Sequence, residues 1–345
     1  MTIKDVAKAC GVSYPTVSYV FNNSRPVSFE TRELVLRTAR ELGYAPNNLA
    51  RGLVTKRTYT FGVLVNNFHY STSLPIINAI EKAARTRQYR LLLGIHYGGA
   101  DRALEELHEF SARSIDGVIY VSSTDDGNPD VVQAIIDSGV PAVLAYTSTQ
   151  SGKDLNTPDR NISIDAALPD HIGGGQMATE RLISTGRKKI AFIGSRSTNN
   201  ATLKRLAGYK QALTANNLEF DPSLIRFARF TAPAGRRAAL DILKRAGQGN
   251  GRPDAFFAGD DNIAAGVIQA CRIYGLKVPS DIAIVGFNDS ILCKACDPWL
   301  SSVAIPFQGI GEACVELLVE RLRKPDNWSP KIRCLPCEFA KRQSA

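Results

Sequence analysis

Near its amino terminus the sequence reads Thr2-Ile3-Lys4-Asp5-Val6-Ala7-Lys8-Ala9-Cys10-Gly11-Val12-Ser13-Tyr14-Pro15-Thr16-Val17-Ser18. Thr2 followed three residues later by Asp5 is typical of a capping box, here with the shorter acid, at the start of a helix. Gly11 is placed to end that helix, because glycine adopts the left-handed backbone most easily. Ser13 is a favourable N-cap for a second helix, and Pro15 fits its first turn because no hydrogen bond is lost there. The stretch therefore predicts two short helices joined by a tight turn.

A third helix is predicted between Ser28, which would cap it, and Leu42, after which Gly43 would end it. Three short helices with a turn of this length predict a helix-turn-helix, whose second helix typically enters the major groove of DNA. The outer face of the second helix is predicted to carry Tyr14, Pro15, Ser18 and Tyr19. Spacing by itself also fits an ordinary three-helix domain.

The positive charge of the chain is concentrated at its amino terminus. The 345 residues have a formal net charge of +9, and residues 1–57 hold nine Lys and Arg against four Asp and Glu. A cationic segment of this kind favours the phosphate backbone of nucleic acids through counterion release. A solvated surface without a nucleic-acid partner is the alternative interpretation.

The overall composition predicts a globular protein of two or three domains, since 44% of the residues are hydrophobic and 22% are charged. No apolar run reaches the length of about 18 residues that a membrane span needs. The polar, charged beginning of the chain does not resemble a secretory signal. We therefore expect a cytoplasmic protein.

From Tyr59 onward, short apolar runs alternate with amphipathic helical stretches. The strand candidates are residues 61–65, 89–95, 117–121, 141–146, 161–164, 189–193, 225–230, 254–258 and 281–285. The clearest helical stretches are residues 75–87, 174–184, 203–215 and 263–273. This alternation predicts an α/β core of two parallel sheets with right-handed crossovers, divided near residues 147–160. Ligands of such folds bind beyond the carboxyl ends of the strands.

Several segments have a distinctive sequence. They are VSYPTVSYVFN at 12–22, ELGYAPN at 41–47, ARGL at 50–53, LKRLAGY at 203–209, FFAGDDNIAAG at 256–266 and VPSDIAIVGFND at 278–289. Each resembles a motif of the lactose-repressor family of bacterial transcription regulators, and the similarity extends over essentially the whole chain.

The resemblance implies a small all-α helix-turn-helix head at residues 1–45, a hinge at 46–58, and an effector-binding and dimerisation core at 59–345. The core would have the two-subdomain α/β fold of periplasmic sugar-binding proteins. Its amino-terminal subdomain would take residues 59–157 and 303–328, and its carboxy-terminal subdomain would take residues 158–302 and 329–345.

The resemblance also implies two elements that contact DNA. The major-groove residues would be Thr2, Ser13, Tyr14, Pro15, Thr16, Ser18 and Tyr19. Tyr19 replaces an arginine that is frequent in the family, so a bidentate contact to guanine is not available there. The minor-groove residues of the hinge would be Asn47, Ala50, Arg51 and Leu53. Leu53 would wedge between base pairs on a helix that forms only on the operator, whereas a flexible linker packed on the core is the alternative for the free protein.

The effector site implied by the resemblance consists of Phe68, Tyr70, Tyr146, Arg205, Phe230, Asp260 and Asn288. Arg205 would donate paired hydrogen bonds to ligand hydroxyls or a carboxylate, and Phe230 would stack on a ring. Asp260 and Asn288 would bind ring hydroxyls, although the family often has Asn at the first of these positions and Asp at the second. Such a polar site favours a sugar or a related polyol. An ordinary loop role is equally open for Phe68, Tyr70 and Tyr146.

Four of the seven cysteines form two pairs, Cys293-x-x-Cys296 and Cys334-x-x-Cys337. Two such pairs can make a tetrahedral zinc site if the fold places them together in the carboxy-terminal subdomain. Against this, the family has no such metal site, and residues three apart on the strand predicted for the second pair point to opposite faces. Reduced, buried thiols are therefore the favoured interpretation, and we expect no cofactor.

We thus expect a homodimeric transcription regulator, in the cytoplasm and associated with the nucleoid, that represses from a pseudo-palindromic operator until a sugar-like effector releases it. A regulator that depends on a corepressor or a protein partner is the closest alternative. A sugar-binding protein that does not bind DNA is a more distant one. An enzyme is disfavoured, because Gly173-Gly174-Gly175 is not a nucleotide-binding fingerprint and the four histidines lack the spacing of metal ligands.

Overall fold

A computed structural model describes residues 1–22, 25–44, 57–68, 71–122, 129–145, 164–195, 200–246, 251–323 and 328–345. The chain divides into two compact units, Met1–Thr58 and Tyr59–Ala345. None of the helices in these described ranges combines the length and the hydropathy required to cross a membrane.

The first unit contains α1 (Ile3–Cys10), α2 (Tyr14–Asn22) and α3 (Phe29–Glu41). Their ends follow the sequence prediction closely. Thr2 and Asp5 form a capping box before α1, and Gly11 ends that helix with a φ of 66°. The Thr16 N–H donates to the Ser13 hydroxyl at 3.2 Å at the start of α2, and Ser28 caps α3 in the same way.

The three helices enclose a small apolar core. Its buried members are Val6, Ala7, Val17, Val20, Val35 and Ala39. The side chains of α2 that point inward are therefore Val17 and Val20, because they lie three positions apart on one helical face. The opposite face of α2 is left to polar and aromatic residues, as predicted.

The second unit contains two six-stranded sheets within the described residues. The strands of the first sheet are β1 (Thr60–Val65), β2 (Arg90–Ile95), β3 (Gly117–Val121), β4 (Ala142–Ala145), β5 (Asp165–Pro169) and β11 (Ile332–Leu335), in the order β11-β5-β4-β3-β1-β2. The strands of the second sheet are β6 (Ile190–Gly194), β7 (Ile225–Phe227), β8 (Ala255–Ala258), β9 (Ala283–Asn288), β10 (Ser301–Ala304) and β12 (Glu338–Ala340), in the order β12-β10-β9-β8-β6-β7. All neighbouring strands are parallel except β10 and β12.

Helices lie along both sheets. The helices of the first sheet are α4 (Ser73–Thr86), α5 (Ala100–Ala112), α6 (Pro129–Asp137) and α12 (Phe307–Arg323). The helices of the second sheet are α7 (His171–Ser184), α8 (Asn200–Ala215), α9 (Ala232–Ala246), α10 (Asp261–Ile273) and α11 (Leu292–Ala295). Because both faces of each sheet are covered, β1, β3, β4, β6, β8 and β9 are almost entirely apolar and buried.

Two strands belong to a different sheet from the one predicted. The sequence prediction placed residues 158–302 and 329–345 in the carboxy-terminal subdomain, yet β5 pairs with β4 and β11 pairs with β5 in the first sheet. The chain therefore enters the second sheet only after Pro169, and it crosses a third time between β11 and β12. Alternation of strands and helices predicts a parallel strand but does not say which of two sheets it joins, because that depends on long-range pairing. The strand predicted at 161–164 falls mostly outside the described residues.

Candidate nucleic-acid interface and ligand-binding site

The exposed face of α2 carries the residues predicted to contact DNA. Tyr14 is 51% exposed, Ser13 and Pro15 are exposed, and Ser18 and Tyr19 are half-buried. The α2 helix has no charged residue, so its donors and acceptors are hydroxyl groups. The hydroxyls of Ser13 and Thr16 lie 2.8 Å apart and hydrogen-bond to each other.

Arg25 adds a positive charge beside this face. Its guanidinium carbon lies 5.1 Å from the centroid of the Tyr19 ring, within the range of a cation–π contact. In the sequence, Arg25 is visible only as one of the nine Lys and Arg residues of the cationic segment 1–57. The signal that could have singled it out is its position just after α2. The hinge residues Asn47, Ala50, Arg51 and Leu53 lie outside the described residues, as do Tyr70 and Tyr146.

In the second unit, three of the predicted effector residues meet at the carboxyl ends of β8 and β9. Arg205 comes from α8 and is only 2% exposed, although it is a cation. Its Nη1 donates to the Gly259 carbonyl, and its Nε donates to Nδ1 of His171 at 3.4 Å. The guanidinium carbon lies 3.8 Å from the centroid of the Phe287 ring. The charge is thus held by an aromatic face and polar acceptors.

Asp260 and Asn288 contact each other directly. The Asn288 side-chain amide donates to Oδ2 of Asp260 at 2.7 Å, and both residues are buried. Oδ1 of Asp260 accepts from the backbone N–H and the side-chain amide of Asn262, which caps α10. Burial raises the pKa of Asp260. Exchanging Asn and Asp relative to the family's usual order therefore keeps one amide donor opposite one carboxylate.

Asp261 is a buried acid that sequence analysis did not select. Its Oδ1 accepts from the Ser302 hydroxyl at 2.6 Å, and its Oδ2 accepts from the Ser290 N–H at 2.7 Å. Burial, followed by the charge of neighbouring Asp260, raises its pKa to about 7. The pair of adjacent acids at the start of a helix could have drawn attention to it, since a second acid in that position has no obvious capping role.

His171 is a second residue missed from the sequence. It begins α7 and is buried against Arg205. Burial, and then the charges of Arg205 and Lys204, lower the pKa of His171 well below its usual value. Its ring is therefore neutral at physiological pH, which allows Nδ1 to accept from the guanidinium of Arg205.

Phe230 and Phe68 are not part of this hydrogen-bonded group. Phe230 is partly buried and packs against the apolar cluster of the second sheet. Phe68 follows β1 in the first sheet and is 40% exposed. Their roles in ligand binding stay predictions.

The structure does not group the two cysteine pairs as the zinc alternative requires. Cys334 lies on β11 in the first sheet and is exposed, whereas Cys293 is buried under the second sheet. The expectation that both pairs belong to the carboxy-terminal subdomain is therefore wrong, because β11 pairs with β5. No cluster of three or more metal-ligating side chains occurs in the described part of the chain. Burial raises the pKa of Cys337 to about 12, so its thiol stays protonated.

These features match known proteins over the whole chain. Residues 2–47 match the family described as bacterial regulatory proteins, lacI family, and residues 179–345 match a periplasmic binding protein-like domain. The HTH-type transcriptional regulator CelR of Thermobifida fusca is 36% identical over 329 residues, which cover 93% of this chain and 92% of the relative.

Solved structures give the same result. A complex of the transcriptional regulator CelR with cellobiose has a TM-score of 0.72 and 30% identity, with both chains fully covered. The lac repressor dimer bound to operator and the anti-inducer ONPF has a TM-score of 0.76 and 26% identity, covering 100% of this chain and 98% of the other.

A helix-turn-helix unit followed by a two-sheet core with a buried polar site is the architecture of a DNA-binding transcriptional regulator. The chain belongs to the lacI family of bacterial regulatory proteins.

Proposed function

We propose that this regulator is a homodimeric repressor whose affinity for its operator is controlled by a neutral sugar or polyol. The observation that carries the effector class is the buried group of Arg205, Asp260 and Asn288 at the carboxyl ends of β8 and β9. The group contains both hydrogen-bond donors and hydrogen-bond acceptors, and the hydroxyl groups of a sugar or polyol need partners of both kinds. The relative whose structure is a complex with cellobiose supports a sugar as the effector.

The operator is a pseudo-palindrome, because two symmetry-related heads bind two half-sites. Each head inserts α2 into the major groove, where Tyr14 and Tyr19 contact bases through one hydroxyl each or cover a thymine methyl. Residues 46–58 form the hinge, and Leu53 enters the minor groove. The regulator acts on the nucleoid in the cytoplasm.

The effector and the operator are coupled through the core. A sugar that binds one arrangement of the two sheets more tightly shifts the population toward it, and the DNA affinity changes by the same factor as the sugar affinity. If the sugar lowers operator affinity, the protein is released by its effector. If the sugar raises it, the effector is a corepressor.

The DNA part of the proposal is tested by titrating a pseudo-palindromic fragment from upstream of the gene with the protein at fixed salt. Leu53→Ala is expected to weaken specific binding about tenfold or more, because a wedge that kinks the duplex is lost. Leu49→Ala, which removes the same side chain elsewhere in the hinge, is the matched control. Equal affinities of Leu53→Ala and wild type would rule out the wedge.

The effector part is tested by thermal shift with a panel of neutral sugars that includes cellobiose and ribose. A sugar present at about 100 times its Kd stabilises the fold by about 2.7 kcal/mol, which raises the Tm by several degrees. Arg205→Lys keeps the charge but loses the planar donor pair, so the shift is expected to shrink markedly. A full shift in Arg205→Lys would exclude the guanidinium as a main contact.

A further inference from the structure

The turn that follows β9 has an unusual backbone. Asn288 has a φ of 103° and Asp289 a φ of 54°, so two successive residues with side chains occupy the left-handed region. Asn and Asp adopt this region more readily than other residues with a Cβ atom, but typically as single residues, so the groups that hydrogen-bond to two in succession help to stabilise the turn. The Asn288–Ser290 turn carries one of the proposed effector residues, so whatever holds the turn also places the Asn288 amide.

The backbone N–H groups of the turn are held by one buried carboxylate. The Ser290 N–H donates directly to Oδ2 of Asp261 at 2.7 Å. The Asp289 N–H donates to the Ser302 hydroxyl at 3.1 Å, and this hydroxyl donates in turn to Oδ1 of Asp261 at 2.6 Å. Asp261 and Ser302 are both fully buried. Two consecutive backbone N–H groups of the turn therefore donate to buried side chains of residues outside the turn. One acceptor is a hydroxyl and the other is a carboxylate.

The side chain of Asp289 is held by the carboxy-terminal segment. Arg342 Nη2 lies 2.6 Å from Asp289 Oδ1, and these side chains are only 14% and 25% exposed. Arg342 Nη1 donates to the Leu300 carbonyl at 2.9 Å, which fixes the guanidinium beside the residue that precedes β10.

The carboxy-terminal segment is itself anchored by several hydrogen bonds to β9, β10 and the residues before β10. The Arg342 N–H donates to the Ser301 hydroxyl, and the Ser344 hydroxyl donates to the Ile284 carbonyl at 2.6 Å. Ser344 is fully buried, although it is the second-last residue. The segment after β12 is therefore a strap that ties β9 and β10 together, and its Arg342 side chain contacts the turn.

We infer that Asp261, Ser302 and Arg342 are positioning residues that hold the Asn288–Ser290 turn so that the Asn288 amide faces Asp260. Asp261 and Ser302 hold the backbone, and Arg342 holds the side chain of Asp289. The inference rests on the proposed function, in which Asn288 binds the effector. It extends the effector site to the carboxy-terminal strap.

The positioning role is tested first on the ligand-free, full-length protein by amide hydrogen exchange. Ser302→Ala and Asp261→Asn are expected to speed exchange in residues 288–290 by about tenfold or more, because the acceptors of those N–H groups are lost or misdirected. Arg342→Ala is expected to speed exchange less, since it removes a side-chain contact. Exchange in β6 and β8 reports whether each variant is folded. Unchanged exchange in residues 288–290 of all three variants would overturn the inference.

A double-mutant cycle separates a positioning role from a merely structural one. If Arg342 acts through Asp289, Arg342→Ala changes exchange in the wild type and adds nothing in an Asp289→Ala background. Arg342→Lys is expected to restore part of the protection, because it keeps the charge. Arg272→Ala is the matched control, since Arg272 forms an exposed ion pair with Asp297 on the same subdomain. Additive effects in the cycle would show that Arg342 does not act through Asp289.

Titration calorimetry with cellobiose then tests the consequence for binding. Arg342→Ala and Ser302→Ala are each expected to raise the Kd for cellobiose about fivefold or more. The Kd of Arg272→Ala for cellobiose is expected to equal that of the wild type. The operator affinity measured without sugar is expected to stay unchanged. A wild-type protein that does not bind cellobiose contradicts that choice of effector, whereas the exchange experiments still decide the positioning role. Unchanged cellobiose affinity in variants with a loosened turn would refute a link between the turn and the effector.

Discussion

The Asn288 side-chain amide donates a 2.7 Å hydrogen bond to Asp260 and so joins the carboxyl end of β9 to the N-cap of α10, two residues after β8. The contact couples two strands of the second sheet at the place where ligands of such sheets bind. Since both residues are buried, the polarity of the pair matters: the amide must supply the hydrogen and the carboxylate must accept it.

Asn288→Asp is therefore expected to destabilise the protein, because two carboxylates would face each other without a donor between them. The expected loss in the free energy of unfolding is about 2 kcal/mol, measured by urea denaturation. The double exchange Asp260→Asn/Asn288→Asp restores one donor opposite one acceptor and is expected to recover most of this loss. A double variant as unstable as the single one would show that the pairing is not what the site requires.

Tyr19→Arg is expected to change which half-site the protein prefers. An arginine can form a bidentate contact with guanine, and such a contact discriminates against other bases by about 1–3 kcal/mol. Selection from randomised half-sites would measure the preference of both proteins. Arg25→Ala, which removes the cation beside Tyr19, should instead weaken all sites to a similar degree and lower the salt dependence of binding. An unaltered base preference in Tyr19→Arg would mean that residue 19 does not read bases.

Asp261 is expected to make stability depend on pH. Its pKa is raised in the folded protein to about 7, so the folded state holds a proton that the unfolded state has already released. The contribution of Asp261 to the free energy of unfolding is therefore fully present below the pKa of the unfolded state. It is lost as the pH rises through the pKa of the folded state. Urea unfolding at pH 5.5 and 7.5 should show a loss on the order of 1–3 kcal/mol at the higher pH that is absent in Asp261→Asn.

The control for this pH effect is Asp241→Asn. Asp241 is an exposed acid whose pKa is lowered by hydrogen bonds from Arg226 and Arg245, so it is ionised throughout this range. Its removal should leave the difference between the two pH values as in the wild type. A wild-type difference that persists in Asp261→Asn would assign the pH dependence to another group.

Phe287→Leu is expected to cost more stability than an equivalent change elsewhere in the core. The Phe287 ring lies under the Arg205 guanidinium, and a desolvated cation–π contact contributes about 2 kcal/mol beyond packing. Phe257→Leu is the matched control, because Phe257 is equally buried in the same apolar cluster and its ring contacts are to Phe192 and Phe287. Chemical denaturation of both variants measures how much more stability Phe287→Leu loses than Phe257→Leu. Equal losses would show that the cation–π contact does not contribute to stability.

Much of the architecture could be predicted from residues that are close together in the sequence. The capping box of Thr2 and Asp5, the turn at Gly11 and the N-cap at Ser13 depend on residues within three positions of each other. The alternation of strands and helices after Tyr59 depends on local apolar runs in the same way. Interactions of this range are encoded in the residue types themselves, so their prediction from sequence succeeded.

The membership of β5 and β11 in the first sheet was decided by tertiary structure. Both strands are short, and their partners lie more than twenty and more than one hundred and sixty residues away along the chain. A parallel strand carries the same apolar pattern whichever edge it joins, because both sheets are covered on both faces. Because β11 joins the first sheet, Cys334 belongs to that sheet, whereas Cys293 belongs to the second. The zinc alternative required both cysteine pairs in one subdomain, so it depended on this assignment.

The residues of the candidate site were likewise predictable from the sequence only in part. Sequence and resemblance together identified Arg205, Asp260 and Asn288, whose types and motifs are visible in the chain. The neutral His171 beneath Arg205, the doubly engaged Asp261 and the strap with Arg342 could not be seen there, because burial and long-range hydrogen bonds give these residues their roles. Sequence by itself determined the kind of protein and the local elements. Only the folded chain decided which polar groups are buried together, since the cost of burying each is offset by partners far away in sequence.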